Sequence, residues 1–197
     1  MAAALQVKGF AWLNLLQFVK ERHGADTFAA LVAAFPAERA QFDTAAVLPI
    51  GWVSGALHLA AVSWVVTQKY GGTSEGAQRF GSELAARNVS STFTSFARLE
   101  DLKVALTTTE RAFGQFYSRG HMQLTLNGDL LDAELSDFPD ANPVFGNVLG
   151  AGLVSFLRGG NVDATLRSVS VEGSTIRYQV QVVLPSTSRL TPLPMKP

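Results

Sequence analysis

Apolar residues fall on most sides of the chain between Lys8 and His23, where Phe10, Trp12, Leu13, Leu15, Leu16, Phe18 and Val19 follow one another closely. The spacing predicts a helix covered on most faces and closed by Gly24, since glycine is common just past a helix end. Asp26 or Thr27 then caps a second helix, which carries Phe28, Leu31, Val32 and Phe35 inward and stops at Pro36. The next run, VLPIGWVSGALHLAAVSWVV over residues 47–66, has no charged residue between Asp43 and Lys69. It predicts a third helix with Pro49 in its first turn and Gly71-Gly72 at its end.

A bilayer-spanning helix needs about 20 apolar residues, and by length this run qualifies. Gly51, Ser54, Gly55, His58 and Ser63 dilute it, and no basic cluster flanks one side to set an orientation. The reading is therefore a core helix, buried all round by its neighbours, with no membrane span.

Ser74 opens a polar amphipathic helix through Arg87, with Phe80 and Leu84 inward. Residues 93–117 read as helical with a break at Thr107-Thr108-Thr109. The pattern then changes period. HMQLTLNGDLLDAEL holds two alternating runs around Asn127-Gly128, a strong hairpin signal. A glycine-rich helix follows over residues 142–158, then strands over 162–171 and 174–184 with a turn at Glu172-Gly173. The predicted fold is α+β: about five helices, then a small, mostly antiparallel sheet of about four strands with one crossing helix. Residues 1–184 are expected to form one domain, and 185–197 a mobile tail rich in Pro, Ser and Thr.

Composition narrows the function. Charged residues make up 16% of the chain, against roughly 25% in ordinary soluble domains. Broad apolar surfaces must therefore be covered, inside the fold or by a partner. Lys and Arg number 16, Asp and Glu 16, and no basic cluster stands out, which excludes nucleic acid as the expected partner. The absence of cysteine excludes disulfides, thiolate catalysis, iron–sulfur clusters and Cys-type zinc sites. Lys8 interrupts the opening apolar run, which continues into Lys20, Glu21 and Arg22 and does not read as a signal peptide. The expected compartment is the cytoplasm.

The catalytic motifs are incomplete. In Gly51-Trp52-Val53-Ser54-Gly55 the serine is misplaced for a hydrolase elbow. Gly150-Ala151-Gly152 has Ser155 where a dinucleotide fingerprint needs its third glycine, and Gly146 and Gly150 read instead as close packing of a helix. His23, His58 and His121 show no metal spacing. Asp132 and Glu134 alternate with Leu131, Ala133 and Leu135, as in a strand with one wet face at a solvated edge. No enzyme, metal or cofactor is expected. The segment AFGQFYSRGH, residues 112–121, lies where helix gives way to sheet, a place where pockets form. Trp52, His58, Phe116 and Tyr117 are the candidate lining of a pocket for a small apolar molecule, with His58 or the Tyr117 hydroxyl as the polar contact. A hydrogen-bonded core histidine is the competing reading of His58.

The order of elements carries a resemblance. Lys8-Gly9 leading into WLNLLQFVKERHG resembles the opening of heme-nitric-oxide-binding domains. The later path, a helix, FYSRGH, a hairpin, a glycine-containing helix and a closing hairpin, is similar to their 4-vinyl-reductase-type and TRAPP-type relatives, and most of all to a myxobacterial family in that superfamily. In heme-binding members a histidine follows an L-x-x-L pattern; here Leu99-Glu100-Asp101-Leu102 is followed by Lys103. Tyr117-Ser118-Arg119 has the residue types, but not the spacing, of their Y-x-S-x-R element. The resemblance implies a non-enzymatic domain that encloses an apolar ligand or forms a homodimer, within a signalling or trafficking assembly. A ligand-free scaffold docking through the first two helices is the alternative, and a heme-based gas sensor the third reading.

Overall fold

Leu5 and Val7 are buried and Gln6 is exposed, an alternation that makes the start of the chain a strand. Gln6–Lys8 (β1) pairs antiparallel with Trp52–Ser54 (β2), Val7 opposite Val53. The computed structural model describes residues 4–91, 102–159 and 162–183. The tail expected from residue 185 lies outside them, as do residues 99–101 of the L-x-x-L pattern.

The β1–β2 ladder corrects the predicted start of the third helix. Gly9 N–H donates to the Gly51 carbonyl and Gly55 N–H to that of Leu5, each at 2.9 Å, which holds the backbone between Gly51 and Gly55 extended. Pro49 sits in a turn closed by Gly51 N–H donating to the Leu48 carbonyl, where its fixed φ suits the second position. The helix, α2, therefore spans Gly55–Tyr70, with Ser54 Oγ accepting from Leu57 N–H at its N-terminus. The helix preceding it, α1 (Gly9–Ala34), combines the first two predicted helices, joined at a kink where Gly24 has φ 84°. Thr27 does not cap the second arm. Its buried hydroxyl donates to the His23 carbonyl across the kink, at 2.8 Å.

Leu57, His58, Leu59, Ala61, Val62, Val65 and Val66 of α2 are all buried, so the helical part of the uncharged stretch is core, whereas Leu48, Ile50 and Trp52 before it are exposed. No helix among the described residues is long and apolar enough to cross a membrane. After α3 (Ser74–Ser91), α4 (Leu102–Phe116) runs unbroken through the three threonines. Each threonine costs a helix only tenths of a kcal/mol, and burial of Leu106 and Phe113, two turns apart on one face, outweighs that.

The sheet consists of β3 (His121–Asn127), β4 (Leu130–Ser136), β5 (Asp163–Glu172) and β6 (Thr175–Val183), in the order β3-β4-β6-β5, with every neighbouring pair antiparallel. Both hairpins turn one residue later than predicted. Asn127 pairs with Leu130 and Glu172 with Thr175, leaving Gly128-Asp129 and Gly173-Ser174 as the turns. Gly128 (φ 65°) and Gly173 (φ 58°) hold the first central position, which in a tight hairpin demands positive φ. β4 has the predicted wet face, but it is an inner strand, paired on both sides. The edge strand β3 is covered by α4, whose Glu110 Oε1 accepts from Leu124 N–H at 2.7 Å.

The crossing helix α5 (Pro143–Gly159) lies on the inner face of the sheet. Gly146 faces Val169 and Ile176, and Gly150 faces Tyr178 and Leu166, so these glycines bring the helix close to β5 and β6. Across α5, Gly81 of α3 lies against the Val148 backbone so tightly that a methyl group would overlap its carbonyl. The Gln78 side-chain amide donates to buried Asn147 Oδ1 at 2.8 Å beside this contact. Gly81→Ala is expected to destabilise the fold by about 2–3 kcal/mol through overpacking. Urea unfolding checks it, and an unchanged midpoint refutes the close α3–α5 contact.

Candidate functional site

The site begins where α4 ends. Ser118 N–H donates to the Gln6 carbonyl at 3.0 Å, Gln6 N–H donates to Ser118 Oγ at 2.9 Å, and Val7 bridges Tyr117. β1 thus fixes the backbone that presents the Tyr117 ring. That ring stacks on Phe113 at 4.9 Å and meets Phe138 and Phe145 edge-on at 5.5 and 5.9 Å. Phe138 stacks on Phe145 at 5.3 Å, with 4° between planes. The loop carrying Phe138 turns through Asp137 and Asp140 at φ 52° and 60°, a conformation aspartate tolerates better than most residues.

His58 closes the cluster from α2, its ring centroid 6.2 Å from Trp12, 6.1 Å from Tyr117 and 6.3 Å from Phe145. It is buried, and its Nδ1 has no hydrogen-bond partner among the described residues. Burial lowers its pKa to about 4, so the imidazole is neutral at physiological pH. Burial also raises the phenols of Tyr117 and Tyr178, the latter helped by the neighbouring Tyr117. Both stay protonated.

Beside the rings lies a cavity of about 210 Å³ between α3, α4, α5 and the sheet. Buried Phe113, Leu153 and Tyr178 line its inner part, and half-buried Phe116, Met122 and Phe156 its outer part. None of the described residues that line it is charged. A Cβ built on Gly152, one of those residues, would meet no described residue within 4 Å. The Tyr178 hydroxyl is buried with no partner among the described residues.

The structure brings three of the four candidate residues into this region. Phe116 and Tyr117 line the cavity, and His58 packs against Tyr117 without lining it. Trp52 stands apart on β2, 42% exposed, with Lys8 Nζ 3.8 Å above its ring and the exposed Leu48 and Ile50 nearby in sequence. It borders a separate uncharged groove of about 590 Å³. A third hollow, about 510 Å³, is the polar outer face of the sheet, where Arg177 pairs with Glu134 and Glu172 at 2.9 Å. Among the described residues no group of three or more His, Asp or Glu is placed to hold a metal. Leu153, Phe156 and Tyr178 were not singled out in the sequence, and Phe113 only as part of the segment 112–121, because a cavity wall and a core position carry the same apolar signal. Gly152 alone gives a hint, two residues off the sheet-facing pair Gly146 and Gly150.

No protein-family model matches the sequence, and no curated protein matches it either. Solved structures do. An H-NOX protein from S. oneidensis in the Fe(II)NO ligation state aligns with a TM-score of 0.64 and 11% identity, over 90% of this chain and 99% of that one. An unliganded Fe(II) H-NOX protein from K. algicida aligns with a TM-score of 0.61 and 9% identity, over 91% of this chain and 98% of that one. The fold is therefore H-NOX-like. Other structures with this fold are described by the distortion of their heme, so the fit of such a group matters. The cavity, at about 210 Å³, is below the roughly 300–1,000 Å³ of drug-sized ligand sites. Among the described residues it offers no imidazole as an axial ligand and no cation for propionates, and His58 is separated from it by a packed ring. The described residues do not fit a heme.

His58 gives a measurable acid dependence. Unfolded, it takes a proton near pH 6.5; folded, it resists until about pH 4. Stability is therefore lost as pH falls through this window, by up to roughly 3 kcal/mol. Urea midpoints at pH 7.0 and 4.5 are expected to show this loss, and His58→Leu to reduce it. Equal losses in both proteins would refute the assignment.

Proposed function

We propose that this chain is a non-enzymatic sensor-type domain that binds a small apolar molecule between its helices and its sheet. The observation that carries this reading is the cavity beside Tyr117: among the described residues its walls are apolar, none is charged, and none fills the space at Gly152. Ligand sites are mostly apolar with few polar groups, and here the polar groups are hydroxyls. The H-NOX-like fold supports the reading at the level of architecture, since the similar structures include a ligated Fe(II)NO form. Phe116 and Tyr117 form the wall, and His58 holds Tyr117 from behind.

A second reading, a homodimer or partner-docking scaffold, draws on a different surface from the first two helices expected for it. Leu48 and Ile50 are 67% and 82% exposed, and with Trp52 they place three large apolar side chains within five residues. Scattered single apolar residues are normal on a surface, whereas a contiguous patch marks an interface.

Native and denatured masses of freshly purified protein separate the readings. Extra mass lost on denaturation is the expected result and supports the ligand reading. A bare dimer that Ile50→Asp converts to monomer supports the scaffold instead. Added hemin is expected to give no Soret band, and a stoichiometric one would overturn the exclusion of heme.

A further inference from the structure

Resting on the reading of the cavity as a ligand site, we infer that it selects an uncharged, single-ring or small fused-ring compound. Size is the first argument. An apolar cavity of about 150 Å³ holds benzene, so about 210 Å³ has room for a molecule somewhat larger than benzene and far smaller than a porphyrin.

Charge is the second argument. Among the described residues no Asp, Glu, Lys, Arg or His lines the cavity, so a carboxylate, phosphate or ammonium group inside would be desolvated without a counter-charge from them, and burying an unpaired ion is costly. Fatty acids, amines and propionate-bearing rings are disfavoured on the same ground.

Shape completes the case. The walls are largely rings, with Phe113, Phe116, Tyr117, Phe156 and Tyr178 all contributing, and flat partners gain from offset or edge-on contact with such rings. Met122 supplies an adaptable side chain at the rim.

Matched probes test this by calorimetry: acetophenone, which is neutral with a carbonyl acceptor; benzoate, of similar size but charged; and hemin. Acetophenone is expected to bind and benzoate and hemin not to. Gly152→Leu, which projects a side chain into the open space, is expected to weaken acetophenone at least tenfold. Ala112→Leu on the opposite wall replaces that variant if it does not fold. Benzoate or hemin binding that Gly152→Leu abolishes would overturn the ligand class and leave the ligand site standing. Failure of every probe, or binding indifferent to the wall variants, would overturn both.

Discussion

The placement of the Tyr117 ring is the constraint on which the rest of the site depends. Two backbone-linked hydrogen bonds between Gln6 and Ser118 fix the chain at the end of α4. The ring then touches side chains from α2, α4, α5 and the loop before α5. A single aromatic pair contributes about 0.5–1.5 kcal/mol beyond its buried area. Several pairs sharing one ring make the helical part and the sheet interdependent there, more so than any one pair would. The cavity begins at the same ring, so whatever fills it presses on the junction that joins the two parts of the fold.

Much of the architecture was legible because it rests on long periodic signals. The buried character of α2, the break at Gly24, the two hairpins and the α+β order all follow from hydrophobic spacing and from glycines in positions of positive φ. The β1–β2 pair was not legible. Three residues per strand are too few for a period to show, and the pairing partners lie far apart in sequence. Its consequence, the late start of α2 at Gly55, was missed with it. The hairpin turns slipped by one residue because register is decided by matching inward rows, such as Leu124 against Ala133 and Leu126 against Leu131, and that matching outranks the Asn-Gly preference.

The candidate site was legible in part. Phe116 and Tyr117 stood out as aromatic residues in a polar segment at a helix-to-sheet junction, and His58 as a lone imidazole in an uncharged helix. Trp52 entered with them because a tryptophan inside a predicted buried helix is expected to point inward. Once residues 52–54 are extended rather than helical, its side chain is free to lie under Lys8 at the surface. The remaining wall residues are distinguished from core only by the space beside them, and space is a property of the folded arrangement.

An H-NOX-like backbone at about 10% identity separates two questions that fold comparison tends to merge. The backbone decides that a space can exist between the helices and the sheet; side chains decide how much of it remains. In this chain Phe113, Phe138, Phe145 and Tyr117 occupy it with one another, under His58, and leave a residual cavity of about 210 Å³ at the α4–α5 side. The small residues of α5 divide the same work: Gly146 and Gly150 draw the helix onto the sheet, while Gly152 leaves room. A cavity of this kind is set by which rings are packed and which position lacks a side chain. Its size and shape can therefore change by a few substitutions while the fold stays the same.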